Sequence, residues 1–300
     1  MPAFAADDAG KWMQRLTVAE EKQSYQGTFV YERNGSFSSH AVWQLVEDEK
    51  LHERLLQLDG PPVEVLLEDG QIKCASEDLA SQVRDAKPWG QQSFDPKKLS
   101  EWYSFQVIGE SRVAGRPTVA LAIRPQDQHR YGFELHLDRE TALPLKSLLL
   151  DESGQLLERF QFVQFSSSVD HASIEAGSAC TPVSLAATAQ EATSTKWRSD
   201  WLPAGFQLLD SNVRPSPASD ESVVWLSYGD GLARFSVFLE QLGGAVVEDA
   251  RSQMGPTVAV SKRISTTTGD VMVTVVGEIP LGTAERVALS MRSGSDQASQ

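Results

Sequence analysis

The chain has 300 residues, with 27 Lys+Arg against 41 Asp+Glu and a formal net charge of -14. Up to residue 195 there are 18 basic and 29 acidic residues, leaving 9 and 12 beyond it. That balance lacks the basic footprint a phosphate backbone requires, so nucleic acid is not an expected partner, and no apolar run approaches the ~20 residues of a membrane-spanning helix.

The first residues read "MPAFAADDAGKW". Ala3-Phe4-Ala5 fits the small-x-small site that ends a secretory signal, with Asp7 and Asp8 as a mature start, and predicts an exported chain. Residues 7 to 23 predict an amphipathic helix, with Trp12, Leu16 and Ala19 at helical spacing. "YQGTFVYER" then alternates, placing Tyr25, Gly27, Phe29 and Tyr31 on one face of a strand. "RNGS" after it is a hairpin turn, because Asn-Gly tolerates positive φ. "FSSHAVWQLVE", "LHERLLQLD" and "PVEVLLEDGQIKCA" continue as strands.

"DPKKLSEWY" predicts a short helix, capped by Asp95 and started by Pro96. The strands resume in "SFQVIGESRVAG", "RPTVALAIRP" and "HRYGFELHLD". In the last, Phe133, Leu135 and Leu137 share one face, and Glu134 and His136 take the opposite, solvated or partner-facing one. "DRETALPL" turns the chain, with Asp138 in an Asx-type turn. Another strand pair surrounds Ser153-Gly154. The count is about ten antiparallel strands with one or two helices. It predicts an α+β, mostly β domain, a curved sheet or half-open barrel whose concave face helices can cover.

Residues 184 to 195, "SLAATAQEATST", carry no apolar periodicity and are expected to be a linker. A smaller α+β domain is expected over 196–292, with strands near 206–213, 222–228, 232–240, 257–264 and 270–277, then a helix at "AERVALSMR". The first domain thus spans 7–183, and 293–300 is expected to be a disordered tail. Cys74 and Cys180 match no metal-binding spacing; they form either one disulfide closing a long loop or two buried thiols.

Signatures of catalysis are missing from the sequence. It holds no Gly-rich phosphate loop with Lys-Ser/Thr, no G-x-G-x-x-G, no G-x-S-x-G, no S-x-x-K and no H-E-x-x-H. Of the five histidines only His129 and His136 are close in sequence, and on an extended strand they would stand over ~20 Å apart, beyond the reach of one metal. Glu134, Asp151, Glu152 and Glu158 fit solvated faces or turns, away from the apolar pocket a general acid needs. No enzyme, metal or cofactor is expected. The aromatic face of Tyr25, Phe29 and Tyr31, with Trp43, Phe133, Phe160 and Phe162 on neighbouring strands, is either the core beneath the first helix or the lining of a cavity for acyl chains.

Several stretches carry a resemblance: "YQGTFVYERNGSFSSHAVWQL", "ERLLQLDG", "GESRVAGRP", "HRYGFELHLDRETALPLKSLLLDESGQLLERFQF", "WLPAGF", "YGDGLARFSVFLE" and "VVGEIPLGTAERVALSMR". From about residue 10 to 292, and least in the linker and around 61–95, the chain is similar to the MucB/RseB family of periplasmic regulators. The resemblance implies an N-terminal domain like the lipoprotein carriers LolA and LolB, and a small C-terminal domain after a linker. It implies a periplasmic protein that binds the periplasmic part of a transmembrane anti-sigma factor (MucA or RseA) and shields it from the first protease of a cascade. Lipopolysaccharide, or its lipid A portion, would release the shield and free an envelope-stress sigma factor, which controls alginate production. Homo-oligomers are a further implication. A periplasmic carrier of lipids or lipoproteins is the alternative. Strand alternation nominates Phe29, Tyr31, Trp43, Phe133 and Leu135 for lipid. The aromatics and arginines of the second domain nominate Arg214, Trp225, Tyr228, Arg234 and Phe235 for the protein partner.

Overall fold

Met13, Leu16 and Ala19 recur at helical spacing, and in the computed structural model all three are buried on one side of α1 (Ala6–Lys22). The structure describes residues 6–61, 63–76, 95–175, 177, 180–182, 196–215, 222–244, 247–267 and 269–294. The expected cleavage site at Ala3-Phe4-Ala5 and the expected linker, 184–195, lie outside them. The chain divides into two compact units. One takes Met1–Arg124, Gly132–Leu150 and Gly154–Ala187; the other takes Pro125–Tyr131, Asp151–Ser153 and Thr188–Gln300.

After α1, the first unit runs through β1 (Tyr25–Arg33), β2 (Ser36–Glu47), β3 (Lys50–Gln57), β4 (Glu64–Glu68) and β5 (Gln71–Ala75). A short helix, α2 (Pro96–Leu99), follows, with the Asp95 side chain accepting from the amides of Lys97 and Lys98. Then come β6 (Tyr103–Val113), β7 (Arg116–Pro125), β8 (Gly132–Asp138), β9 (Pro144–Leu150), β10 (Leu156–Ser166) and β11 (Thr181–Pro182). The strands form one eleven-stranded sheet, ordered β11-β5-β4-β3-β2-β1-β10-β9-β8-β7-β6, with β11 and β6 at its edges. The sheet stays open, as the alternation predicts. Asn34 (φ 53°) and Gly35 (φ 71°) make the tight β1–β2 turn, the geometry that suits the twist of paired strands.

Polar fastenings hold the sheet's corners. The Asp138 carboxylate takes two bonds from the Arg116 guanidinium (2.8 and 2.9 Å) and two from Thr141 (3.0 and 2.9 Å). Burial works against its ionisation, but Arg116 and Thr141 outweigh that and hold the carboxyl below its usual range. His136 departs from expectation: it is buried, not solvated. Alternation gave its face correctly, but Ser111 of β6 reaches that face, with Oγ 2.5 Å from His136 Nδ1, and Glu134 lies 2.7 Å from Nε2.

Cys74 and Cys180 form a disulfide across 106 residues, with Cα atoms 5.4 Å apart. It joins β5 to the segment entering β11. Beside it, the buried Glu64 accepts from Arg54 (2.7 Å) and from the Gly177 amide (2.9 Å), and Arg54 also donates to the Ser173 carbonyl (2.8 Å).

In the second unit are β12 (Trp197–Ser199), β13 (Gln207–Pro215), β14 (Ser222–Gly229), β15 (Arg234–Gln241), β16 (Ala250–Met254), β17 (Thr257–Thr266), β18 (Gly269–Gly277), α3 (Leu281–Ser290) and β19 (Met291–Ser293). Six strands make an antiparallel sheet ordered β13-β14-β15-β18-β17-β16, and β12 pairs with β19. Ala284, Val287 and Ala288 of α3 pack on Leu226, Val237, Val260 and Val273 in a closed apolar core. Residues 293 and 294, expected in the tail, are placed: Ser293 pairs with Trp197, and the Gly294 amide donates to the Lys196 carbonyl (2.7 Å). Residues 295–300 lie outside those described.

Pro125–Tyr131 belongs to this second unit by its contacts. Arg130 is fully buried there, bonded to Asp230 (2.5 Å), Asp127 (2.8 Å) and the Ala204 carbonyl (2.6 Å). The Tyr131 hydroxyl donates to the Ile279 carbonyl (3.1 Å). A buried guanidinium tolerates this position only when its donors are met.

Replacing Cys74 and Cys180 with serine removes a closed loop of about a hundred residues, and is expected to lower the unfolding free energy by about 2–5 kcal/mol. Urea melts of the oxidised and variant chains check this. Identical midpoints and slopes would mean that the Arg54–Glu64 fastening alone secures β11.

Candidate functional site

Strand register assembles one apolar wall from several short sequence stretches. On β1, Phe29 stands opposite Phe162 of β10 and His40 of β2, while Tyr25 stands opposite Gln44. Further along, Val42 pairs with Leu55 and Gln44 with Glu53, and these pair in turn with Val65 and Leu67. The Phe29 ring lies 4.6 Å from Phe160 and 5.9 Å from Phe162, and Tyr25 stacks on Phe165 at 5.7 Å. Aromatic groups in such tilted and edge-on arrangements add to their area burial.

Between this wall, Glu20 of α1 and the Leu143-Pro144 corner lies a cavity of about 140 Å³. It is close in size to an apolar cavity of ~150 Å³ that holds benzene. It therefore has room for a short apolar segment, and a larger lipid would enter only in part.

Two carboxyls break the apolar lining, Glu20 and Glu53. Burial, with Glu21 adding to it, pushes the Glu20 carboxyl up to about 8. Burial also raises Glu53. The Tyr25 phenol is raised by burial first, then by Glu53 and Glu20. Arg54 is the one cationic side chain among the described lining residues, and it is engaged elsewhere. Its guanidinium bonds Glu64 and the Ser173 carbonyl and lies 4.8 Å from the Trp43 ring.

The nominated lipid residues separate. Phe29 lines the cavity. Tyr31 shares its face but donates its hydroxyl to Glu158 (2.6 Å) and packs on the Phe29–Phe160 cluster. Trp43 pairs with Gln26, which puts it on the opposite face of the sheet; the expectation that it joined Phe29 is corrected. Leu135 follows Ser147 and Phe160 across the sheet, so it shares the aromatic face but lies beyond β9, and Phe133 pairs with Leu149. Neither lines the cavity. Glu20 and Glu53 were not nominated, although spacing held the signal. Glu20 follows Met13 and Leu16 on the helix, and Glu53 falls between Leu51 and Leu55 on one strand face.

Among the nominated partner residues, Tyr228 and Phe235 are core. They are 3% and 2% exposed and stack on each other at 5.2 Å under α3, so they cannot serve as surface contacts. Trp225 and Arg234 are half-buried. The parity of β14 and β15 puts them on the face away from those core rings, with Trp225 opposite Phe238. The Trp225 indole donates to Ser236 Oγ (3.0 Å). Arg214 pairs through its backbone with Val223; its side chain lies outside what the structure describes.

Ser111, His136 and Glu134 form a chain that has the composition of a hydrolytic triad. Its polarity is reversed, with the hydroxyl at Nδ1 and the carboxylate at Nε2. Burial first, then Lys146, holds the imidazole below its ordinary pKa despite Glu134. None of the three lines the cavity. Among the described residues, no three His, Cys, Asp or Glu side chains converge as a metal site.

Between about pH 4.5 and 8 the folded chain keeps a proton on Glu20 that the unfolded chain has lost, so this group's contribution to stability falls as pH rises through that window. Glu20→Gln is therefore expected to match the parent's Tm near about pH 5 and exceed it by a few degrees near about pH 8.5. Calorimetric melts at both values check this; a constant difference would place the carboxyl in water.

A sequence profile of the MucB/RseB N-terminal domain matches residues 8–184, and one of the MucB/RseB C-terminal domain matches 191–292. The sigma factor AlgU regulatory protein MucB of Pseudomonas aeruginosa is 59% identical over 97% of this chain and 93% of its own length. The sigma-E factor regulatory protein RseB of Escherichia coli is 28% identical over 98% and 94%. Among solved structures, a complex of Pseudomonas aeruginosa MucA and MucB matches with a TM-score of 0.87 at 57% identity, covering 95% of this chain and 99% of that one. A crystal structure of MucB matches with a TM-score of 0.70 at 55% identity, covering 96% and 98%.

Proposed function

Because the chain belongs to the MucB/RseB family, we propose that it is a periplasmic regulatory protein that binds the periplasmic domain of a MucA/RseA-like anti-sigma factor. The observation that carries this reading is the full-length match to a relative solved as a complex with MucA. Bound, it shields the anti-sigma factor from regulated proteolysis and keeps the envelope-stress sigma factor inactive, and with it alginate production. The Cys74–Cys180 disulfide favours an oxidising compartment outside the cytoplasm.

Release requires linkage. Lipopolysaccharide, or its lipid A portion, must bind the partner-free form better than the bound form, and it shifts the equilibrium only by that difference. The cavity beneath α1 is the site we assign to an acyl chain, with Phe29 in its wall. For the protein partner, we assign the face of the second unit that carries Trp225, Phe238 and Arg234, where a half-buried indole and a guanidinium suit a binding hot spot.

The test is binding of a fluorescent MucA-like periplasmic segment to the full chain, then challenge with the first protease of the cascade. Tight binding with protection is expected, and Trp225→Ala is expected to weaken binding by about 2 kcal/mol. A segment that neither binds nor gains protection overturns the reading. A lipid or lipoprotein carrier, the second reading favoured by the cavity, would instead move lipid between vesicles and keep that activity after deletion of residues beyond 195.

A further inference from the structure

An acyl-chain pocket has no need of carboxyls, yet Glu20 and Glu53 face the cavity from α1 and β3 with Phe29, Leu55 and Val65 around them. Neither makes a side-chain hydrogen bond or ion pair with any described residue, and Arg54 is committed to Glu64 and Ser173. The Glu20 and Glu53 side chains are half-buried; holding carboxyls without partners against an apolar wall still carries a desolvation cost, which a ligand of opposite charge offsets. Resting on the cavity reading above, we propose that the site takes an apolar chain ending in a primary ammonium, the chain lying along Phe29, Val42 and Phe160 and the ammonium held by Glu20 and Glu53.

An ammonium brings three donors, and the cavity lining offers the Glu20 and Glu53 carboxyls and the Tyr25 side chain. A carboxylate or phosphate at the same place would meet like charge wherever Glu20 and Glu53 ionise, and an alcohol would leave at least one carboxyl unmatched. The volume of about 140 Å³ fits a chain of about six carbons, judged against the benzene-sized cavity. The titratable and charged groups around the site are Glu20 and Glu21 on α1, Tyr25 on β1, and Glu53 and Arg54 on β3. His40 on β2 stacks against Phe29, and burial holds its imidazole below the ordinary pKa against the pull of Asp59. Below about pH 8 an incoming ammonium must displace the Glu20 proton. Its affinity therefore rises with pH until the amine itself loses its proton near about pH 10.

The experiment is a titration of the 15N-labelled full chain with hexylamine, hexanol and hexanoate at about pH 8, followed by amide shifts of cavity residues. Hexylamine is expected to bind at least about tenfold more tightly than hexanol, and hexanoate not to bind. In Glu20→Gln/Glu53→Gln the amine's advantage disappears while hexanol binding persists; if that chain does not fold, Glu53→Gln alone serves, with a partial loss. An amine no better than the alcohol, or an advantage that survives in the variant, overturns the proposal and leaves the cavity as an uncharged-chain site. If none of the three shifts cavity residues, the cavity reading itself fails, and the proposal with it.

Discussion

A Cβ on Gly27 would lie 2.7 Å from a Phe162 ring carbon and 2.4 Å from the Gln164 carbonyl oxygen. Real side chains do not tolerate such contacts, so the bare backbone of Gly27 is what lets Phe162 lie across β1. The rest of the first unit depends on that approach. Beside it, the β1–β10 register shifts between Thr28 and Phe29, bringing Phe29 opposite Phe162 and Tyr31 opposite Phe160. A bulge of this kind re-aims side chains and sharpens strand twist. The result is a continuous aromatic wall at the middle of an open sheet, and α1 covers it through Ala19, Trp12 and the Tyr25–Phe165 pair.

The second unit uses the same arrangement for a different end. A Cβ on Gly277 would stand 2.4 Å from that of Phe235, its partner across β15 and β18. Phe235 therefore settles flat against Tyr228 and the core closes. In one unit the glycine lets aromatics bound a hollow. In the other it lets them fill one. This contrast is why Tyr228 and Phe235 of the second unit are core, while Phe29 of the first lines a cavity.

Much of the fold follows from alternation and turns, including the cap at Asp95, the helix on Leu16 and Ala19, and most strands of both units. Some of what was misplaced was also legible. A two-residue turn at Asn34-Gly35 puts Arg33 opposite Ser36, and counting outward from there sets Trp43 against Gln26, on the far side from Phe29. Likewise Trp225 and Tyr228 have opposite parity on one strand and could not share a surface. Other placements were hidden. That β10 returns to lie beside β1, and β8 two strands further off, is a fact of topology, so Phe133 and Leu135 could not be kept from the cavity by pattern alone. His136 needed Ser111 of β6, which no local period connects to it. Glu53 shows the opposite failure: its parity was plain, but charged residues are assigned to water by habit.

Strand order also sets when each part of the first unit can form. The Tyr31–Glu158 hydrogen bond spans 127 residues and the disulfide spans 106, whereas the β1–β2 and β2–β3 hairpins need only their own turns. Loop-closure entropy must be met before distant pairings return anything, so contacts of this separation come late. The hairpins from β1 to β5 can assemble while the chain is still emerging, leaving β1 as an unpaired edge with its aromatics exposed. Only the arrival of β10 supplies Phe160, Phe162 and Phe165. The hollow thus exists only once β10 has docked on β1, and an immature chain lacks the site until then.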